Sequence, residues 1–325
     1  MSQRYDAIIL GAGPAGLTAA IYLGRNRLKP LVVDTGSAGG QMVLSYVVAN
    51  YPGVETTSGR EISQTMLRQA RSFGAEVLTQ ATVTELDLTG ATKRVSIEDE
   101  GEFEAPVVVV ATGGTPRQLG LESEQRLKGR GISYCATCDG DFFTDKAIVV
   151  IGGGNSALEE AVSLTRYASK VTVVHLLDEF QAQPWALSEA EANPKIELLN
   201  PWAVVEFEGE EHLERVIIEH QTTGERRTIE AEGTFIFIGY QPNTEWLGDQ
   251  IALNDHGEVI ADEQMSTNLP GVYVAGDNRV KRYRQITTAV SDGTIAALAA
   301  SEYLQNLQRD EAPPTSPAET SAQAA

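Results

Sequence analysis

The chain has 325 residues, 42% of them hydrophobic and 6% aromatic, enough for about two domains each with its own core. Lysine and arginine number 25 against 45 aspartates and glutamates, a formal net charge of −20. Such a surface repels phosphate backbones and anionic lipid, which argues against a nucleic-acid or membrane partner.

The opening MSQRYDAIILGAGPAG leads directly into a strand, with no signal-peptide core or cleavage site. No apolar run in the chain approaches the ~18 residues of a membrane span, so a cytoplasmic location is expected. AIILGAGPAGLTAAIYLGR, ending at Arg25, reads as an apolar strand, a glycine-rich turn and a helix. Leu17, Ala20, Ile21 and Leu23 recur in that helix at helical spacing. Gly11 and Gly13 let the backbone turn tightly against a pyrophosphate, and Gly16 lets the helix pack close to the strand. Phosphates would then sit on the unpaired N–H groups of the helix N-terminus. A second apolar strand, Pro30–Asp34, ends in the acid that would grip a ribose hydroxyl. GGQ (Gly39–Gln41) and NYPG (Asn50–Gly53) are turn signals, and a helix is predicted over Gly59–Phe73. Short alternating strands run to Glu104, and APVVVVATGGTP (Ala105–Pro116) reads as a buried strand ending in a loop. IVVIGGGNSALEEAVSLTR, ending at Arg166, aligns without a gap on the first glycine stretch, Gly11 on Gly152 and Gly16 on Ala157. Its second strand is Lys170–His175. One such glycine turn is a weak signal, but two in strand–turn–helix–strand context predict two dinucleotide-binding units. Strands continue through TFIFIGY (Thr234–Tyr240), and GVYVAGD (Gly271–Asp277) is a buried strand ending in an acid. A helix is predicted from about Thr287 to Leu304, and residues 309–325, rich in Pro, Ala and Ser, read as a disordered tail.

Cys135 and Cys138 are the only cysteines, which excludes a disulfide-stapled secreted scaffold. Zinc would need two more ligands, and the four histidines are scattered, so no metal is expected. Two buried reduced thiols are the bland alternative. The CATC spacing favours a redox pair, because a thiolate in such a motif is more available than in free cysteine. Asp139, directly after the pair, either exchanges protons with it or caps a turn. A dinucleotide site joined to a redox pair implies electrons passing between a nucleotide cofactor and a disulfide, with a flavin as relay.

GAGPAG, GGQ, ATGGTP, CATCDGDFF, GGGNSALEEA, IGYQPNTE, GVYVAGD and RQI, in this order over residues 4–304, resemble the low-molecular-weight bacterial thioredoxin reductases. The resemblance implies an α/β chain of two Rossmann-like domains, the second inserted in the first, and a homodimer. Residues 1–116 and 246–308 would form the FAD-binding domain, and residues 117–245 the domain with the cysteines and the second nucleotide site. Around FAD it implies Gly11, Gly13, Pro14, Ala15, Gly16, Asp34, Gly40, Gln41, Asn50, Thr112, Gly113, Gly276, Asp277, Arg284, Gln285 and Ile286. Cys138 would be the sulfur facing the flavin, Cys135 the one attacking the disulfide of a thioredoxin-like partner, and Asp139 the acid/base.

One stretch departs from the family. Its members end the second strand of this unit with HRR and a further arginine four residues on, a cluster that grips the 2′-phosphate of NADPH. Here His175 is followed by Leu176 and Leu177, the third arginine is Gln181, and Asp178 and Glu179 lie between. A 2′-phosphate would meet no cation and two like charges. The intact turn leaves Gly152, Gly154, Asn155, Ser156, His175 and Leu176 as a second nucleotide site, either vestigial or holding a dinucleotide other than NADPH, a second FAD among them. The leading expectation is therefore an FAD-dependent disulfide oxidoreductase independent of NADPH, similar to the diflavin-linked disulfide oxidoreductases and ferredoxin-dependent thioredoxin reductases, its electron donor unidentified. The alternatives are an NAD(P)H-dependent thioredoxin reductase, a flavin dithiol oxidase and a non-enzymatic flavin-binding sensor.

Overall fold

A computed structural model describes residues 2–45 and 48–311. The chain divides into two compact units, residues 1–40, 63–113 and 244–325 in the first, 41–62 and 114–243 in the second. Each is an α/β unit built on a five-stranded parallel sheet.

In the first unit the order is Val272–Val274, Val107–Val110, Ala7–Leu10, Pro30–Asp34, Glu76–Thr79. The central strands are unbroken apolar runs because both faces of such a sheet are covered. The helices Pro14–Arg25 and Ile286–Glu311 pack on one another. A four-stranded sheet, Gln3–Arg4, Gly101–Ala105, Lys93–Ile97 and Val83–Asp87, buries Phe103 and Val95 in one core with Ile8, Leu31 and Val108. The second unit repeats the plan in the order Ile132–Ser133, Gly233–Ile236, Ala147–Ile151, Lys170–Val174, Ile196–Leu199. The helix Asn155–Leu164 covers one face. An antiparallel sheet of Trp202–Glu208, Arg215–His220 and Arg226–Glu230 covers the other through Trp202, Val204, Phe207 and Ile218.

Three expected elements differ. Ala105–Pro116 is two strands, Val107–Val110 in the first unit and Gly114–Pro116 paired with Tyr240–Pro242 in the second. Gly113 divides them at φ +60°, a left-handed turn that ends strand pairing. Thr234–Tyr240 likewise breaks, at Gly239 with φ +118°. The last helix starts at Ile286 and runs to Glu311, past the expected end at Leu304 and into the first residues of the expected tail. Glu302, Leu304, Gln305, Leu307 and Gln308 all favour helix, and the first proline comes at Pro313. The rest of that tail, from residue 312, lies outside the described residues. Among the described residues no helix is long and apolar enough to cross a membrane.

The two glycine turns separate steric from functional need. A Cβ on Gly16 would stand 1.9 Å from the Gly11 carbonyl oxygen, whereas one on Gly154 would meet nothing within 4 Å. Gly154, at φ −89°, needs no glycine for its backbone. Gly16→Ala is expected to lose at least ~1–3 kcal/mol of stability by overpacking, and Gly154→Ala to leave the urea midpoint of unfolding in place. Equal midpoints for the two variants would contradict this.

Candidate functional site

In the first unit the glycine turn, the strand end after Val110 and the turn after Val274 converge. Gly11 takes φ +111° with a would-be Cβ 2.2 Å from the Ala111 carbonyl oxygen. Gly13 caps the helix that starts at Pro14 and supplies no side-chain acceptor, so the first N–H groups stay open to an anion. Ala15 and Gly16 are buried in its first turn. Asp34 accepts from Ala12 N at 2.6 Å and Gly36 N at 2.7 Å, which ties the strand end to the glycine turn. Gly39 N donates to Ala12 O at 2.7 Å, and Gly40 lies against Gly13. Asn278 donates to Thr112 Oγ1 at 3.2 Å beside Gly113, and Gly276 closes on Ala15. Arg284 pairs with Glu258, Gln285 N donates to Thr288 Oγ1, and Ile286 opens the last helix. Gln41 and Asn50, expected at the same site, are exposed and lie on residues 41–62, grouped with the second unit.

Asp277 shows whether this cluster suits a flavin nucleotide. Its Oδ1 is buried without a hydrogen-bond partner among the described residues. Lys281 Nζ is 3.5 Å from that oxygen but is held by Asp292 at 2.8 Å. Burial pushes the Asp277 carboxyl above its usual range, more than Lys281 and Arg284 lower it. A buried acceptor lacking a donor, beside an open helix N-terminus, fits the hydroxyls and pyrophosphate of FAD. Asp292, buried at 4% exposure, is the anchor beneath. It receives Arg279 at 3.0 and 3.1 Å, Lys281 and the Gly276 N–H at 3.1 Å.

In the second unit Gly152 takes φ +140°, its would-be Cβ 2.3 Å from the Phe237 carbonyl oxygen. Gly152, Gly154, Asn155, Ser156, His175 and Leu176 all line one cavity of about 830 Å³. His175, 6% exposed, lies against Gly153, stacks on Phe180 with centroids 5.1 Å apart, and contacts the Glu179 carbonyl at 3.1 Å. Burial pulls its imidazole below the usual range, so the ring is neutral and no substitute cation. Leu176, Leu177 and Gln181 also border a neighbouring hollow of about 640 Å³ with Asp178 and Glu179. Arg227 lies over Trp202, a wall of the larger cavity, with its guanidinium 5.3 Å from the ring centroid.

Cys135 and Cys138 form a disulfide, which separates them from the reduced-thiol alternative. Cys135 caps the one-turn helix Ala136–Asp139, and its Sγ accepts from Cys138 N at 3.2 Å. Asp139 occupies the N-cap position of the turn Gly140–Phe143 without a side-chain capping bond, and its Oδ2 accepts from the Ser133 hydroxyl at 2.6 Å. Burial, then the nearby Asp141, push its carboxyl up against that hydrogen bond. Tyr134, beside the disulfide, donates to the fully buried Glu124 at 2.7 Å.

The sequence reading missed Asp292, Ser133 and Trp202. Only Asp292 left a signal, an acid amid the small apolar residues of TTAVSDGTIAAL, where burial demands cationic partners.

A glycine turn opening a helix in each unit and a closely spaced disulfide beside a half-buried acid define a nucleotide-dependent disulfide oxidoreductase. The family model of pyridine nucleotide-disulphide oxidoreductases matches residues 5–293. Thioredoxin reductase of Peptoclostridium acidaminophilum is 42% identical over 94% of this chain and 98% of its own length. That of Bacillus subtilis is 41% identical over 94% and 96%. The crystal structure of thioredoxin reductase from Streptococcus pyogenes superposes with a TM-score of 0.90 at 39% identity, covering 94% of this chain and all of that one. The chain belongs to the pyridine nucleotide-disulphide oxidoreductases, in the low-molecular-weight thioredoxin reductase family, whose members are flavin-dependent disulfide oxidoreductases that bind FAD.

Arg279 and Lys281 outweigh the burial that would raise Asp292 and hold its carboxyl below the usual range. A depressed folded pKa adds stability above the unfolded value and loses it as pH falls through the folded one, so this contribution fades below about pH 3.9. Asp292→Ala, which strands two cations, is expected to cost ~3–5 kcal/mol and to release FAD at neutral pH. Thermal unfolding and the flavin absorbance of the desalted variant check this; full flavin retention would contradict it.

Proposed function

We propose that this chain reduces a thioredoxin-like protein disulfide through Cys135 and Cys138, with FAD in the first unit and a pyridine nucleotide as electron donor at the second glycine turn. The observation that carries the reading is the formed disulfide in the same unit as the Gly152–Gly154 cradle. FAD, when bound, supplies the electron pair that opens the disulfide. The two sulfurs accept two electrons, and Asp139, shifted toward its protonated form, holds the proton that the departing thiolate requires. Cys135 attacks the partner disulfide, and Cys138 displaces the reduced partner and restores the original bond. The homodimer belongs to the same proposal.

Residues 175–181 decide which nucleotide. The relatives favour the pyridine-nucleotide alternative over the NADPH-independent expectation. The side chains favour a ribose without a 2′-phosphate, since Leu176 and Leu177 stand half exposed beside Asp178 and Glu179. NADH satisfies both. A second reading keeps NADPH independence, with another donor and a second FAD in the 830 Å³ cavity, and the apolar wall of Leu176, Leu177 and Trp202 favours it. A flavin dithiol oxidase would instead run electrons from substrate thiols to oxygen.

Anaerobic mixing with each donor separates these readings. NADH is expected to bleach the flavin and NADPH to do so far more slowly, since losing even two charge-assisted bonds of ~1.5–3 kcal/mol each weakens binding by orders of magnitude. Bleaching by dithiol alone, with catalytic oxygen uptake, would indicate the oxidase. A flavin-to-chain ratio of about two after denaturation would indicate the second FAD. Rapid bleaching by micromolar NADPH would overturn the subsite argument.

The sulfur assignments have their own check. Cys138→Ser is expected to keep FAD yet leave the flavin uncoupled from any disulfide. Cys135→Ser is expected to show a long-wavelength charge-transfer band from the remaining thiolate. Interchanged spectra would reverse the two roles.

A further inference from the structure

We infer that Ser133 is a positioning residue for the disulfide chemistry: its hydroxyl holds the Asp139 carboxyl and couples that carboxyl's protonation to the backbone of Cys135. The inference rests on the reading of Asp139 as the proton carrier.

Ser133 closes the two-residue strand Ile132–Ser133, in register with Phe235, and is 7% exposed. Three polar atoms surround its oxygen. Asp139 Oδ2 lies at 2.6 Å, the Cys135 N–H donates at 3.1 Å, and the Cys135 carbonyl oxygen is 3.4 Å away. A serine hydroxyl has one proton to give and two lone pairs to offer. With Asp139 ionised, that proton goes to Oδ2, in the short range of a charge-assisted O–H···O⁻ bond. With Asp139 protonated, the carboxyl donates to the serine oxygen instead, and the serine proton turns to the Cys135 carbonyl. The hydroxyl thus has two settings, and both of its other contacts belong to the nucleophilic cysteine.

The opposing influences are named groups. Burial and the Asp141 carboxylate, on the turn Gly140–Phe143, favour the protonated acid, and Ser133 alone opposes them. The Asp139 N–H is taken by the Cys135 carbonyl at 3.2 Å. An acid left to burial alone would hold its proton more tightly still and release it poorly. The hydroxyl holds it below what burial alone would impose, which eases release of the proton.

The test is carboxyl ¹³C NMR of the oxidised holoprotein labelled at aspartate, with the Asp139 signal assigned through Asp139→Asn. Ser133→Ala is expected to raise the Asp139 midpoint by about one pH unit. Ser133→Thr, which keeps the hydroxyl, is expected to restore it, and Asp141→Asn to lower it. In the unaltered protein the Cys135 amide shift is expected to titrate with the same midpoint. An unmoved midpoint in Ser133→Ala, or a Cys135 amide indifferent to pH across it, would overturn the inference. The alkaline limb of disulfide reduction by excess dithiol is expected to move upward with the midpoint in Ser133→Ala. Failure of the underlying reading looks different: Asp139→Asn would then turn over a thioredoxin disulfide at the original rate and pH dependence, whatever the NMR midpoints.

Discussion

At Gly11 the Ala111 carbonyl oxygen comes within 2.2 Å of where a side chain would begin, and the first unit is arranged around that closeness. The strand end at Ala111, the glycine turn and the start of the first helix can converge only without a Cβ there. The last helix joins the same convergence, since a Cβ on Gly293 would stand 2.2 Å from the Ala15 carbonyl oxygen. The result is a helix N-terminus held open at the ends of the strands, where an α/β sheet binds its nucleotide. The second unit repeats the device with Gly152 against the Phe237 carbonyl at 2.3 Å, but carries Ala157 where the first has Gly16. A methyl is therefore admitted between turn and helix there, and the second cradle is the looser of the two.

Three acids withdrawn wholly or partly from solvent show how partners assign roles in an acidic chain. Asp292 is met by two cations and a backbone N–H, so it stays ionised and serves as an anchor. Glu124 is met by Tyr134 and by the Leu119 and Gly120 N–H groups, which fixes the chain ahead of the disulfide. Among the described residues the Asp139 carboxylate has the Ser133 hydroxyl alone. Glu124 and Asp292 are buried and Asp139 partly so, and the difference lies in what faces each carboxylate. Asp139 is the acid with the fewest donors, its carboxyl is pushed up by burial, and it is the one beside the sulfurs.

Much of this architecture was legible in the sequence because it depends on local steric rules. The repeat of strand, glycine turn, helix and strand marked Ala7–Leu10 and Ala147–Ile151 as strands, which the structure sets at the centres of their sheets, and the CATC spacing favoured the pair that forms the disulfide. Less was legible where one apolar run serves two structures. The valines of residues 107–110 give no sign that Gly113 will hand the chain to another sheet. Ser133 was out of reach for a different reason: a serine in an apolar strand has no signature until the fold brings Asp139 beneath it. The placement of Gln41 and Asn50 with the second unit depends likewise on packing against residues far along the chain.

The segment after His175 explains how donor preference can change in such a chain without cost to the fold. Its path is set by groups other than the side chains at 176 and 177, and Gln181 adds a hydrogen bond from its Nε2 to the Glu179 carbonyl at 2.6 Å. Ala182 N donates to Gly153 O at 3.0 Å, Gln183 N to Asn155 Oδ1 at 2.7 Å, and Asn200 to the Asp178 carbonyl. The His175 ring fills the space that Gly153 leaves and stacks on Phe180. Leu176 and Leu177, each 51% exposed, contribute nothing to that network. Arginine or leucine at these positions would leave the turn, the strand and the core equally well packed. What changes is the charge beside the cavity that the glycine turn lines. The fold thus separates holding the nucleotide, which backbone N–H groups and glycines do, from choosing it, which falls to side chains the fold leaves free.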